Sequence, residues 1–144
     1  MTILVDAGPI VAASDTRDPR RADAQRALSA AAEPLAVSAF VAAEVDYLLQ
    51  TRLGRRASRA FLDDLAVGRY RLETVTHAEL LTLTTLSDRY ADLAPGLADL
   101  SIVILAHRFQ TRRILTFDQR HFRAMTPLTG GAFELLPGDL PAVG

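Results

Sequence analysis

The amino-acid sequence predicts an α/β fold in three layers, with a central parallel sheet of about five short strands covered by helices on both faces. Short aliphatic runs alternate along the chain with longer stretches in which apolar residues recur at helical spacing, the pattern of a parallel sheet with helical crossovers. The chain has 144 residues, of which 49% are hydrophobic. This length and this apolar fraction fit one domain with its own core, so we expect a single domain over residues 1–144.

Five segments are predicted to form the strands. Each is short, rich in aliphatic residues and bounded by polar or turn-forming residues. These segments are residues 3–5, 35–37, 70–75, 113–116 and 133–136. A turn-rich tail is expected at the end of the core of about 3–136, because glycine and proline accumulate there, at Gly130, Gly131, Pro137, Gly138, Pro141 and Gly144.

Helices are predicted between these strands. Alanines and a leucine repeat at helical spacing in residues 20–32. Ser38 directly precedes an apolar helical stripe and is expected to be its N-cap. Thr76 has the spacing of a capping box with the glutamate three residues further on. A proline-glycine pair at 95–96 precedes the last long helix, which we expect to end near Gln110.

Several classes of chemistry are excluded by composition. The chain contains no cysteine, lysine or asparagine. It therefore has no disulfide framework, no cysteine nucleophile and no zinc-finger ligands. It also lacks the lysine of a P-loop or of a pyridoxal phosphate Schiff base. No apolar run approaches the roughly 20 residues of a membrane span, and the start does not resemble a signal peptide, so we expect a cytoplasmic protein without a membrane contact.

The charge of the chain is nearly balanced but unevenly distributed. The formal net charge is -1. A nucleic-acid contact would therefore depend on a local basic patch. Two interpretations of the arginine-rich stretch remain open, an anion-binding surface and an ordinary solvated helix face. Its six arginines are Arg52, Arg55, Arg56, Arg59, Arg69 and Arg71.

Four carboxylates are expected at one edge of the sheet. Asp6 and Asp118 directly follow predicted strands, and Glu44 and Asp99 lie in opening turns of predicted helices. Each has a structural alternative as a helix cap, a first-turn acid or an ion-pair partner. Glu44 is expected on the inward flank of its helix, with Asp46 pointing outward. Because ligands bind at the carboxyl edge of open parallel sheets, the four together predict a convergent site.

Clustered carboxylates without a cation repel one another, and hard divalent ions with oxygen ligands resolve this repulsion. We therefore expect Mg²⁺ or Mn²⁺, which activates water and neutralises charge on a phosphodiester. Ser38 is a candidate for orienting Glu44 or contacting a phosphate. Thr116 is a candidate for binding a metal-bound water or the substrate, although both hydroxyls also suit purely structural roles. The three histidines show no metal-ligand spacing and are interpreted as ordinary surface residues: His77, His107 and His121.

The sequence resembles the PIN-domain ribonucleases, most closely the VapC-type toxins of bacterial toxin-antitoxin pairs. The likeness runs from Ile3 to about Leu136. It rests on four stretches in this order: Ile3-Leu4-Val5-Asp6; Glu44; Tyr90-Ala91-Asp92-Leu93 with Gly96-Leu97-Ala98-Asp99; and Leu115-Thr116-Phe117-Asp118 with Phe122.

This resemblance implies a PIN-like fold and a metal-dependent endoribonuclease that cleaves structured RNA, such as tRNA or rRNA, and inhibits translation. It also implies a cognate antitoxin and a homodimer. Asp6, Glu44 and Asp99 would ligate the ion directly, Asp118 would act through water or a second ion, and Asp92 would be structural. The RNA backbone would be bound by arginines, the candidates being Arg52, Arg55, Arg56, Arg112 and Arg113.

Two other function classes compete with this interpretation. Phosphoryl transfer through Asp6 requires a second acid two residues on and a lysine further along, but position 8 is glycine and lysine is absent. A non-catalytic PIN-like module that binds RNA or a protein partner remains the alternative. In that case the four carboxylates should be expendable.

Overall fold

The computed structural model describes residues 1–140, and within this range the chain forms five strands and seven helices. The predicted alternation of short strands with longer helices is confirmed. In chain order the elements are β1 (Ile3–Val5), α1 (Ala7–Ser14), α2 (Arg21–Ala30), β2 (Leu35–Ser38), α3 (Ala39–Leu53), α4 (Arg55–Ala66), β3 (Arg71–Glu73), α5 (His77–Arg89), α6 (Leu97–Arg108), β4 (Arg113–Leu115), α7 (Gln119–Ala124) and β5 (Glu134–Leu136).

The five strands form one parallel sheet in the order β3-β2-β1-β4-β5. The chain first proceeds outward from β1 to β3 and then crosses back to β4 and β5 on the other side. The right-handedness of nearly all parallel crossovers predicts α1 to α4 on one face and α5 and α6 on the other, and α3 contacts both α1 and α6. The predicted three-layer α/β/α fold with about five short strands is therefore confirmed.

The core surrounds the two central strands, whose described residues are all buried. Helix α6 is buried continuously from Leu100 to Ala106, because it packs on β1 and β2 and also contacts α3 and α5. A helix that is apolar on all sides is typical of such a position between layers. None of the helices in the described part of the chain combines the length and the apolar character needed to cross a membrane.

Several boundaries differ from the prediction. The third strand is shorter than the expected 70–75 because it lies at the edge of the sheet, where its residues are partly exposed. The last long helix ends at Arg108, before Gln110, which adopts a positive φ of 52° that stops the helical path. Gly130 and Gly131 have the left-handed backbone expected of turns. Pro141 and Gly144 of the predicted tail lie outside the described residues.

Two helices lie outside the predicted set, and one local prediction needs correction. The short helix α7 follows Asp118, and helix α4 begins after Gly54 within the arginine-rich stretch. Asp46 does not point into solvent, because it accepts hydrogen bonds from Ser58 of α4 and from Gln50. The neighbouring helix α4 determines this orientation, and the periodicity of α3 alone does not indicate its presence.

An ion-pair network connects the end of α6 to the edge strand β3 and to the first turn of α5. Arg108 donates to Glu79 at 3.2 Å, to Glu73 at 3.4 Å and to the carbonyl of Thr74 at 2.7 Å. Glu79 also closes the capping box that was predicted for α5 with Thr76. The hydrogen bonds from Arg108 lower the pKa of Glu79 to about 2, well below its usual 4.5. This carboxylate therefore stabilises the fold as long as it is charged.

We expect Glu79→Gln to lower the free energy of unfolding by about 1 kcal/mol at neutral pH, since the network is partly exposed. The folded pKa lies below the unfolded value, so the contribution is complete above about pH 4.5 and is lost as the pH falls towards 2. Urea melts at pH 7 and pH 3.5 measure the difference in free energy of unfolding between wild type and Glu79→Gln, and this difference should be smaller at pH 3.5. Asp88→Asn, an exposed acid on the same helix, is the control. A difference in free energy of unfolding that does not change with pH would contradict the prediction.

Candidate active site

An open cavity of about 360 Å³ lies at the carboxyl edge of the sheet. All four predicted carboxylates line it, although they come from different elements of the fold. Asp6 follows β1 and Asp118 follows β4, while Glu44 and Asp99 lie near the starts of α3 and α6. The structure therefore brings together the acids that the sequence placed at this edge.

Asp6 is the most buried of the four, with 8% of its surface exposed. Its Oδ1 accepts the backbone N–H of Ala7 at 2.8 Å, which caps α1, and its Oδ2 accepts the hydroxyl of Thr116 at 2.7 Å. Burial raises the pKa of Asp6 to about 6, with smaller contributions from the charges of Asp99 and Glu44. The two hydrogen bonds act against this rise.

Glu44 and Asp99 form the next part of the cavity wall. Glu44 faces the cavity and is largely exposed, not packed inward as its helical position suggested. Partial burial and the nearby charge of Asp99 raise the pKa of Glu44. Asp99 is half-buried in the first turn of α6 and accepts the N–H of Gly96 at 3.3 Å. Burial also raises the pKa of Asp99, and the charge of Asp118 adds to this effect.

Asp118 caps α7 and contacts a histidine that the sequence analysis left without a role. Its Oδ1 accepts the backbone N–H of His121 at 3.0 Å, and its Oδ2 lies 2.7 Å from His121 Nδ1. Donor atoms of Asp99, Asp118 and His121 all lie within 4.8 Å of one another. The interpretation of His121 as an ordinary surface residue is therefore wrong. Its spacing of three residues from a helix cap is the signal that could have shown it.

Thr116 connects Asp6 and Asp118 through hydrogen bonds of its side chain. Its buried hydroxyl donates to Asp6 and accepts the backbone N–H of Asp118 at 2.9 Å. Only 1% of Thr116 is exposed, so the expected contact with substrate or a metal-bound water is wrong. The hydroxyl instead acts on the site by orienting the carboxylates.

Ser38 lies further from the cavity than expected. Its hydroxyl accepts the N–H of Phe40 at 3.2 Å, which confirms the predicted N-cap of α3. The same oxygen is 2.7 Å from the hydroxyl of Ser101, which in turn donates to the carbonyl of Ala98. Because Ser38 is fully buried in this chain of hydrogen bonds, the expected contact with Glu44 or a phosphate is wrong.

The charge of the four carboxylates is not balanced by the protein. In residues 1–140 no arginine forms an ion pair with any of them, and His121 is the one basic partner. The raised pKa of Asp6, Glu44 and Asp99 expresses the resulting cost of holding these groups charged. A set of oxygen donors without a resident cation fits a hard divalent ion such as Mg²⁺ or Mn²⁺.

The predicted RNA-binding arginines do not form one surface. Arg52 lines the cavity of the acids, and so does Arg20, which the sequence analysis did not select. Arg55 and Arg56 are exposed at the start of α4. Of the other arginines in this stretch, Arg59, Arg69 and Arg71 pair with nearby acids, namely Asp63, Asp64 and Glu73.

Arg112 and Arg113 lie at the amino ends of the strands, on the edge opposite the carboxylates. Arg113 begins β4 and pairs with Glu33 and with Glu134, the first residue of β5. Arg112 lines a different cavity at that edge. Their assignment to RNA at the predicted site is therefore wrong, because the length of β4 separates them from Asp118.

Comparison with known proteins agrees with this geometry. The PIN domain family matches residues 3–126. The chain is 38% identical over 135 residues to Ribonuclease VapC26 of Mycobacterium tuberculosis, a match that covers 94% of this chain and all of the relative.

Two solved structures share the fold. VapC20 of Mycobacterium tuberculosis, described as a sarcin-ricin loop cleaving toxin, superposes with a TM-score of 0.78 at 20% identity, covering 88% of this chain and 98% of the other. VapBC2 from Rickettsia felis, bound to a DNA fragment from its promoter, has a TM-score of 0.67 at 17% identity and covers 94% and 98%. From the family match and the full-length relative, the chain belongs to the PIN-domain family and, within it, to the VapC ribonucleases.

Proposed function

We propose that the protein is a metal-dependent endoribonuclease toxin that cleaves structured RNA, tRNA or rRNA, and so inhibits translation. The observation that carries the proposal is the cavity in which Asp6, Glu44, Asp99 and Asp118 converge without an arginine partner in the described chain. The full-length similarity to Ribonuclease VapC26 supports the ribonuclease activity, and the fold shared with VapC20 is consistent with it.

The four carboxylates would hold the ion, Mg²⁺ or Mn²⁺, with Asp6, Glu44 and Asp99 as direct ligands and Asp118 acting through water or on a second ion. Such an ion lowers the pKa of a water ligand and neutralises charge on a phosphodiester. The carboxylates come from strand ends and helix starts that are fixed by the sheet, so their spacing is set before any ion binds. This arrangement reduces the reorganisation required on binding.

Neighbouring groups orient these ligands. Thr116 donates to Asp6, and His121 contacts Asp118, so each of these carboxylates has one oxygen in a defined hydrogen bond. Such outer partners restrict the rotation of a ligand and thereby strengthen the site. Arg52 at the cavity wall is proposed to receive the RNA backbone, with Arg55 and Arg56 extending this surface.

The proposal also covers the protein partner, the oligomeric state and the cellular location. We propose a cognate antitoxin that neutralises the toxin, a homodimeric toxin and a cytoplasmic location. The shared fold with VapBC2 of Rickettsia felis is consistent with an antitoxin partner. We further propose that residues 1–144 act as one PIN-like unit, since the family match covers most of them.

Cleavage of total RNA by the purified protein tests the reaction. We expect discrete cuts with 5′ phosphates in Mg²⁺ or Mn²⁺, lost in EDTA, and a loss of more than about a hundredfold in Asp99→Ala, which exceeds the effect of removing an outer-shell group. Mapping of 5′ ends measures both. Asp92→Ala, an exposed acid on the preceding loop, is the matched control and should cleave normally. RNA that stays intact with every metal would favour the non-catalytic module.

Without metal, Asp6 should destabilise the fold at neutral pH. Its folded pKa of about 6 lies above the unfolded 3.8, so stability falls as the pH rises from about 4 through 6. We expect Asp6→Asn in EDTA to raise the free energy of unfolding at pH 7.5 by up to about 3 kcal/mol, and the melting temperature with it. This gain should disappear near pH 4.

Added Mn²⁺ supplies the second half of this test. Wild type should be stabilised by the ion at pH 7.5, because an ion that binds only the folded state favours it, whereas Asp6→Asn should respond little. Thermal melts of both proteins with and without Mn²⁺ measure the difference. An Asp6→Asn variant that is less stable than wild type in EDTA at pH 7.5 would contradict the proposed charge imbalance.

The hydrogen-bonding role of the Thr116 hydroxyl can be tested without changing the shape of the side chain. Thr116→Val keeps the shape but removes the donor to Asp6 and the acceptor for the N–H of Asp118. We expect the affinity for Mn²⁺ to fall at least about tenfold, the usual cost of losing an outer partner of a ligand. Thr116→Ser keeps the hydroxyl and should bind nearly as wild type. Titration calorimetry measures both, and equal affinities in the two variants would exclude the orienting role.

A further inference from the structure

The cavity that holds the carboxylates also has a cationic side. Arg20 and Arg52 line it together with the aromatic ring of Phe117. Arg20 lies in the loop that enters α2, whereas Arg52 is in the last turn of α3, so two separate elements bring their guanidinium groups to the same cavity. The hydrogen bonds from Arg20 lower the pKa of Asp18, and the charge of Arg52 adds a smaller effect in the same direction.

Arg20 is held in position by two contacts. Its guanidinium carbon lies 4.6 Å from the centre of the Phe117 ring, within the range of a cation–π contact. Its Nε and Nη2 donate to the two carboxylate oxygens of Asp18, each at 3.3 Å, and its backbone N–H donates to the same residue at 2.8 Å. An arginine fixed in this way loses less side-chain entropy when it binds a ligand than a mobile one does.

The held guanidinium keeps donors for a ligand. Two of its five N–H groups are used by Asp18, which leaves three, and half of the side chain remains exposed. The unused donors therefore belong to a preformed group that lines the cavity of the acids.

An RNA-cleaving site of this composition needs such a group. The chain has a net charge of -1, and its four active-site carboxylates repel phosphates. Attraction of an RNA backbone must then come from a few local arginines, and planar guanidinium groups bind phosphate oxygens in pairs. The phosphate that is cleaved would be bound by the ion that the carboxylates hold, so a second phosphate along the strand is the group left for the cationic side.

Resting on the proposed function, we propose that Arg20, held by Asp18 and Phe117, forms with Arg52 a subsite for the RNA phosphate next to the one that is cleaved. The subsite fixes the strand across the cavity and leaves the reacting phosphate to the ion that the carboxylates would hold. Arg20 is thus a substrate-binding residue, and its loss affects binding of RNA more than the chemical step.

Binding is measured by fluorescence anisotropy with a fluorescein-labelled mixture of tRNAs, in the Asp99→Asn background with Mg²⁺, over a series of KCl concentrations. We expect Arg20→Ala to weaken binding about tenfold and to flatten the salt dependence by about one ion, the signature of one lost phosphate contact. Arg20→Lys keeps the charge and should retain the salt dependence while losing part of the affinity, because lysine lacks the planar fork.

Two further variants guard against a purely structural explanation. Arg26→Ala removes the same charge from the same helix region, but Arg26 pairs with Asp23 and does not line the cavity, so binding should match the parent protein. Phe117→Leu keeps apolar bulk but removes the ring that supports Arg20, and should reproduce part of its loss. If Arg20→Ala binds the labelled tRNAs as tightly as Arg26→Ala does, the proposed phosphate subsite is wrong.

Cleavage kinetics separate this subsite from the proposed activity. In the active protein, Arg20→Ala should raise KM about tenfold and leave kcat within about threefold, since a binding contact affects both ground and transition states. If RNA is cleaved but KM and binding are unchanged, the subsite fails and the nuclease stands. If wild type cleaves no RNA while Arg20 still governs binding and its salt dependence, the nuclease fails and the subsite stands.

Discussion

The cost of keeping four carboxylates charged in one partly buried cavity is the constraint on which the rest of this site depends. Asp6, Glu44, Asp99 and Asp118 line one cavity, and no arginine of the described chain pairs with them. The fold holds them there because two follow parallel strands and two begin helices at the same edge. Burial, and to a smaller extent the charges of neighbouring acids, raises the pKa of Asp6, Glu44 and Asp99, and the proposed divalent ion would offset this cost.

The supporting hydrogen bonds explain why the carboxylates do not turn away from one another. Thr116 is pinned between Asp6 and the backbone of Asp118, and Gly96 donates to Asp99. Behind them the Ser38–Ser101 contact joins the starts of α3 and α6, the helices that carry Glu44 and Asp99. The hydroxyls of Ser38, Ser101 and Thr116 are buried with their partners, so this part of the site's scaffold also belongs to the core.

Much of the fold and of the acid cluster followed from local patterns. Strand ends and helix starts can be located along a sequence, and the parallel arrangement then brings Asp6 and Asp118 to one edge. Arg113 shows the limit of this reasoning, since it lies five residues from Asp118 but at the other end of β4. A three-residue strand spans about 10 Å, and sequence proximity does not reveal which edge a side chain serves.

The sequence by itself determined the α/β class, the order of the elements and the identity of the four acids, because these depend on periodicity and on the direction of parallel strands. Only the tertiary structure decided which partners surround them. Asp99 of α6 lies beside Asp118 and His121 of a later segment, and the guanidinium of Arg20 lies over the ring of Phe117, which is distant from it in sequence. Such contacts depend on how the layers pack, which no local pattern records.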